Sequence, residues 1–222
     1  DAVRQFMGRL APQDRVGLAT IPRGGLNVGL TVDRAPVEAA IESLSGRAAR
    51  AESEADAACR TRQVLDSLMN LARGLAGSDQ TAIVLFGAGL TPPMFTEMSK
   101  MSNTPNLCEI KAKDYQEVEL ALLAAPASVH VVQVPDPTTS GAAATSSQTQ
   151  GLEHLAGITG NVMIRLVGAS DDAMKSLAAA TSAYYRATFI PDDGERNGLA
   201  RPLAVRVSRP EVTVRARPAR SE

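Results

Sequence analysis

The sequence predicts an α/β protein: a doubly wound, mostly parallel sheet with a small antiparallel β extension at the C-terminal end. Three observations lead there. Thr81-Ala-Ile-Val-Leu-Phe86 is a near-continuous apolar run, the pattern of a parallel strand covered on both faces, and 128–134 and 162–167 repeat it. Between these runs, apolar residues recur at helical spacing, so strand and helix alternate. From Leu203 to Ala216, by contrast, apolar and polar residues alternate with period two and no helix intervenes.

In chain order, residues 1–10 read as an amphipathic helix. Asp14 to Ile21 and Leu26 to Val32 form a β-hairpin around Pro22-Arg-Gly-Gly25. Asp33 is placed to cap a helix carrying Val37, Ala40, Ile41 and Leu44, with Gly46 as its stop. Arg47 to Arg62 is charged and Ala-rich, a long connection or a weak helix. Val64, Leu65, Leu68, Leu71, Ala72 and Leu75 then mark an amphipathic helix that Gly77 ends.

After the 81–86 strand, Met94 to Met101 reads as a short surface helix. Asp114 is placed to cap a helix with Tyr115, Val118, Leu122 and Leu123 on its apolar side. Pro135 to Gln150, poor in apolar residues, reads as a mobile loop. Gly151 to Gly160 reads as a short helix with a glycine stop, and Ser170 as the cap of a helix opened by Asp171 and Asp172. A strand over 184–190, a turn at Pro191-Asp-Asp-Gly194 and two alternating strands (Leu203, Val205 and Val207; Val212, Val214 and Ala216) complete the chain.

Composition bounds the function. A length of 222 residues suits one main domain with an appendage, and a formal net charge of −1 gives no electrostatic reason to expect nucleic acid as partner. Seven arginines against one acid, Glu211, occupy 196–220, but no aromatic residue lies between them to stack on bases. No apolar run approaches the ~20 residues that span a bilayer. Residue 1 is Asp, in what reads as mid-helix, so the expectation is that the polypeptide starts upstream, where a targeting segment would lie.

Cys59 and Cys108 read either as inert buried thiols or as a disulfide. Their polar surroundings, Ala-Ala-Cys59-Arg-Thr-Arg and Pro-Asn-Leu-Cys108-Glu, favour the disulfide and with it an exported protein. Catalytic signatures are missing: there is no Gly-x-Ser-x-Gly elbow and no phosphate-loop Gly-Lys-Ser/Thr. Gly87-Ala-Gly89 could open a dinucleotide fingerprint, but Pro92 stands at the third glycine position. His130, within a strand, reads as a core residue, and His154 as a surface residue of its helix. Asp192, Asp193 and Glu195 read as hairpin chemistry.

The order helix, hairpin, helix, long connection, helix, then an apolar strand with a glycine turn resembles a von Willebrand factor A domain from its first helix onward. Gly151-Leu-Glu-His-Leu-Ala-Gly-Ile-Thr-Gly160, 182–196 and Arg201-Pro-Leu-Ala-Val-Arg-Val-Ser-Arg-Pro210 running on to Val214-Arg-Ala-Arg217 are similar to the bacterial secreted group called VWFA-related. The resemblance implies a von Willebrand A-like domain over 1–182 lacking its first strand, and a C-terminal β extension over 183–222. Because that strand is central in the family, a gap is expected between the strands near 15–21 and 81–86.

The family's divalent cation is held by an Asp-x-Ser-x-Ser loop, a Thr before the third helix and an Asp after the fourth strand, with a partner's acidic residue completing the shell. The loop would lie ahead of Asp1; Thr61 matches the Thr; Ala88 stands where the Asp would be. The resemblance therefore implies a degenerate site over Thr61, Gly87, Ala88, Gly89 and Thr91, without tightly bound Mg²⁺ or Ca²⁺. The function it implies is a non-enzymatic, adhesion-type module of a secreted or periplasmic bacterial protein, binding an unidentified protein partner. The alternatives are an enzyme or cofactor-binding domain using the Gly87–Gly89 turn, and a purely structural domain.

Overall fold

A computed structural model describes residues 1–21, 27–44, 52–76, 79–93, 108–134, 142–166, 170–185, 201–202, 205–210, 214–215 and 219–220. Helix α1 (Ala2–Met7) buries Phe6 and Met7. Strands β1 (Val16–Ala19) and β2 (Asn27–Thr31) pair antiparallel as the expected hairpin; its turn lies outside the described residues. Helix α2 (Ala35–Ser43) is capped by Arg34 rather than Asp33. Asp33 still helps, its carboxylate accepting from the Ala35 amide at 3.1 Å. The Arg34 guanidinium reaches back to the carbonyls of Met7, Leu10 and Ala11, at 2.8, 3.0 and 2.6 Å. The carbonyl of Met7, which ends α1, and those of Leu10 and Ala11 just beyond it thus each gain a charged donor, and α1 is pinned to α2.

Helix α3 (Glu54–Gly74) is 21 residues long and begins well before the apolar stripe that predicts it. Its first turns bury only small residues (Ala57, Ala58 and Thr61), which leave little periodic signal. The start lies instead in Ser53, whose hydroxyl accepts from the Asp56 amide at 3.1 Å. Gly77, the expected stop, lies outside the described residues, and so does the expected 94–101 helix.

Strand β3 (Thr81–Gly87) pairs in parallel with β4 (Ala127–Gln133) over their full length, Thr81 facing Ala127 and Gly87 facing Gln133. Strand β5 (Ile164–Arg165) adds two residues on the far side of β4, giving the order β3-β4-β5. It is shorter than the expected 162–167 for an identifiable reason. The outward N–H and C=O of Val129 are taken by side chains: the Thr159 hydroxyl bonds both (3.1 and 3.0 Å), and the Asn161 amide donates to the carbonyl at 2.9 Å. Two side chains thus do the work of a neighbouring strand.

Helix α4 (Ala112–Ala124) starts at Lys111, not Asp114. Asp114 sits in the first turn and its carboxylate accepts from the Lys111 amide at 2.7 Å. Helix α5 (Ala142–Ile158) corrects the expected 135–150 loop from residue 142 onward. The Ala- and Gln-containing stretch is competent to form helix, and further along the same helix Leu152 and Leu155 are fully buried. It ends as expected near Gly160, at φ 73°. Helix α6 (Asp171–Ser182) follows Ser170, whose hydroxyl turns to Gln5 of α1 instead of to its own helix.

Period-two alternation lets β3 feed two cores. Ile83 and Leu85 pack with residues of α3, α4 and α5, among them Leu68, Val118 and Leu152; Val84 and Phe86 pack with Phe6 of α1 and Met174 and Leu177 of α6. Helices therefore cover both faces of the parallel sheet. The hairpin forms a separate two-stranded sheet, and no hydrogen bond joins β1 to β3 among the described residues.

The C-terminal region corrects the sequence expectation. Strands β6 (Arg201–Pro202) and β7 (Ala219–Arg220) make a two-residue antiparallel pairing. The described residues of the two alternating segments, 205–208 and 214–215, lie in no strand, and Val205, Val207 and Val214 are exposed. Alternation becomes strand only when one face is buried, and among the described residues none beyond Ala178 joins either core. Tyr184 and Tyr185, read as the start of a strand, are likewise exposed and outside any strand. Residues 186–200, with the expected Asp192–Glu195 turn, lie outside the described residues.

Cys59 and Cys108 form a disulfide with Cα atoms 4.7 Å apart. Cys59 is inside α3 rather than in a connecting segment. His130 is 6 % exposed on β4, as expected of a core residue. Burial, assisted by Arg215, holds its imidazole below the usual 6.5. The native state thus keeps His130 neutral while the unfolded chain protonates near 6.5, so stability is full above that pH and falls on acidification below it. Urea unfolding at pH 7.5, 6.5 and 5.5 is expected to show a steeper loss for the natural protein than for His130→Gln; parallel losses would assign the acid sensitivity to other groups.

Candidate functional site

The carboxyl end of a parallel sheet is where α/β proteins bind ligands, and every residue of the expected degenerate site lies there. Gly87 closes β3, and Ala88 is exposed just beyond it. Gly89 and Leu90 are buried against α5, the Leu90 amide donating to the Gln148 carbonyl at 3.0 Å. The glycine of the turn answers to this helix. A Cβ on Gly89 would stand 2.5 Å from the Gln148 Cβ, and one on Gly151 would stand 2.1 Å from the Leu90 carbonyl oxygen. A side chain at either position would hold turn and helix apart.

Two further helices clamp the same turn. The Thr61 hydroxyl, fully buried, donates to the Ala57 carbonyl and accepts from the Thr91 amide, both at 2.8 Å. Arg60 donates to the Gly89 carbonyl at 2.7 Å while paired with Glu52 at 2.9 Å. The Tyr115 hydroxyl of α4 donates to the Thr91 carbonyl at 2.8 Å. Burial raises its pKa far above the ordinary phenol value, so it stays a donor. Thr61, Gly89 and Thr91 thus lie together as parts of an internally bonded turn. Thr61 is two turns into α3 rather than at the start of a helix.

This donor set does not fit a tightly held divalent cation. The Thr61 hydroxyl is buried and bonded twice, and the Ala88 carbonyl already accepts from Gln133 at 3.3 Å. Hard cations take six or more oxygen ligands with carboxylates prominent among them. Among the described residues, no group of three or more His, Cys, Asp and Glu side chains converges anywhere. His154, the other histidine, is exposed and stands edge-on to Tyr115 with ring centroids 4.8 Å apart.

Sequence reasoning missed a second cluster on the same end of the sheet. Gln133, the last residue of β4, is 4 % exposed. Its amide nitrogen donates to the Thr149 hydroxyl of α5 at 2.9 Å, and its amide oxygen accepts from Arg165 Nε at 2.9 Å. A second Arg165 nitrogen reaches the Thr149 hydroxyl at 3.4 Å. Arg165 is exposed, and no carboxylate lies within ion-pairing distance of it among the described residues. The signal in the sequence was slight: a Gln ending one apolar strand and an Arg ending the next. A buried Gln needs hydrogen-bond partners, and that demand could have singled it out. Chemically, the cluster is a guanidinium held in orientation by two neutral groups, with no carboxylate partner among the described residues. That is an arrangement suited to a carboxylate.

Comparison with known proteins finds no matching family model, no similar curated protein and no similar solved structure.

Proposed function

We propose that this chain is a non-enzymatic, protein-binding α/β module of an exported protein, and that it meets its partner at the carboxyl end of the parallel strands without a bridging metal. The observation that carries this reading is Arg165, an exposed cation steadied by Gln133 and Thr149 where such sheets bind ligands. In this reading a partner's acidic side chain pairs directly with the guanidinium, and the degenerate turn at Ala88 needs no ion. The Cys59–Cys108 disulfide supports an oxidising compartment, hence a secreted or periplasmic location. The resemblance to the VWFA-related group supports the same class of function. An enzyme or cofactor site at Gly87–Gly89 has less support, because α5 already occupies the close approach that Gly89 permits.

The test is a photo-crosslinking residue placed at Ala88 in the full-length protein, with the same residue at exposed Ala124 on the opposite end of the sheet as control. A single protein adduct from position 88, unchanged by EDTA and weakened about tenfold or more by Arg165→Glu, is expected. An EDTA-sensitive adduct would restore the metal-bridged reading. Equal labelling from both positions would remove this face from consideration.

A further inference from the structure

A guanidinium presents its donors on two edges that can hold a carboxylate: a side edge of Nε and Nη2, and an end edge of Nη1 and Nη2. At Arg165 the side edge is taken. Its Nε donates to the Gln133 amide oxygen at 2.9 Å and its Nη2 to the Thr149 hydroxyl at 3.4 Å. No other hydrogen bond or ion pair engages this guanidinium among the described residues, so the end edge is open to solvent. Arg60, at the same end of the sheet, shows the contrast. There the Glu52 carboxylate closes the side edge, at 3.0 and 2.9 Å, and the Gly89 carbonyl takes Nη1 at 2.7 Å. One arginine is used up inside the fold and the other is not.

The Gln133 amide can face Arg165 in only one sense. Its nitrogen donates to the Ala88 carbonyl at 3.3 Å and to the Thr149 hydroxyl at 2.9 Å, which leaves its oxygen for Arg165. Turned over, it would set oxygen against the Ala88 carbonyl oxygen and a donor against the Arg165 Nε–H, both without water to relieve them. The residue is buried, and pairing of β4 to β3 and β5 fixes its backbone. Arg165 is thus gripped by an acceptor that orients the guanidinium and supplies no counter-charge.

We propose that Arg165 takes a carboxylate end-on, through Nη1 and Nη2, and that Gln133 is the positioning residue that imposes this edge. The inference rests on the reading of this face as the partner's contact, and it adds which edge is offered and what sets it. Two parallel N–H groups match the two oxygens of one carboxylate, so the acid lies in the guanidinium plane and points straight at the sheet end. Arg165→Lys would keep the charge and lose the fork. Gln133→Glu would place a carboxylate on the side edge and pair Arg165 within the protein.

The test is acetate titration of the full-length protein carrying isotope-labelled arginine, followed by the nitrogen resonances of Arg165. Their loss in Arg165→Lys identifies them, and chloride at equal ionic strength is the control. Acetate is expected to move the Nη signals and leave Nε in place, because Nε stays on Gln133. In Gln133→Met, with circular dichroism unchanged, acetate should move Nε together with Nη. Gln133→Glu is expected to weaken acetate binding about tenfold. A Gln133 that serves only the fold would give the same pattern of shifts in the natural protein and in Gln133→Met, and that result would overturn the proposal. An Nε shift in the natural protein, or no shift at any Arg165 nitrogen, would overturn it too. The reading of this face as a partner contact fails separately, if the adduct from position 88 is indifferent to Arg165→Glu.

Discussion

Replacing Cys59 and Cys108 together by serine is expected to lower the unfolding free energy by about 4 kcal/mol, the chain-entropy value for releasing a loop of this size. The two cysteines are 49 residues apart in sequence and join the second turn of α3 to the segment that leads into α4. Non-covalent contacts span the same junction. Arg62 pairs with Asp114 at 3.2 Å and also donates to the Glu109 carbonyl, so the variant is expected to fold. For a chain of this size the loss corresponds to a fall in Tm of roughly 8–16 °C. Thermal melts with and without reductant check the assignment. Reductant should bring the natural protein down to the double variant and leave the variant unmoved. A shift of less than about 2 °C in the natural protein would mean that the bond constrains little.

Gly151→Ala is expected to cost about 2–4 kcal/mol, from overpacking and one lost hydrogen bond. Its new Cβ would stand 2.1 Å from the Leu90 carbonyl oxygen and 2.6 Å from the carbonyl carbon. Both are main-chain atoms, so no flexible side chain can yield, and turn and helix must separate. Separation breaks the Leu90 to Gln148 bond and pulls Leu90, 2 % exposed, out of the core. It also loosens Thr149 from Gln133, and with it the support of Arg165. Gly157→Ala in the same helix is the control: a Cβ there meets nothing within 4 Å. Helix propensity alone should make that change neutral or stabilising by up to about 1 kcal/mol. Urea unfolding of the two variants side by side separates close approach from propensity; equal stabilities would show that the turn and α5 have room to spare.

The candidate site was legible only in outline. Thr61 and Thr91 are 30 positions apart, yet Thr91 donates its amide to the Thr61 hydroxyl, a contact that no local periodicity could place. What the sequence reading missed is that Thr61 is a buried clamp and that Gly89 makes room for a helix. Neither fact resides in the turn itself: the first depends on α3, and the second on α5, whose first half reads as a loop because its sequence is poor in apolar residues. Gln133 and Arg165 were passed over for a related reason. Each is the terminal residue of its own strand, and their bond exists only because β4 and β5 lie side by side.

By itself the sequence determined the parts whose cause is local. Consecutive apolar residues make Thr81–Gly87 and Ala127–Gln133 strands, helical spacing makes the body of α3 and α4, and two cysteines in polar settings point to a disulfide. Only the tertiary structure decided what these parts do to one another. Among the described residues, Thr159 and Asn161 stand in for a strand on one side of the sheet while nothing does so along β3, and alternation near Val205 and Val207 yields no strand where neither core receives it. The physical reason is common to all of these. Backbone groups and apolar side chains must find partners, and whether a partner is present is settled by residues far away in the chain.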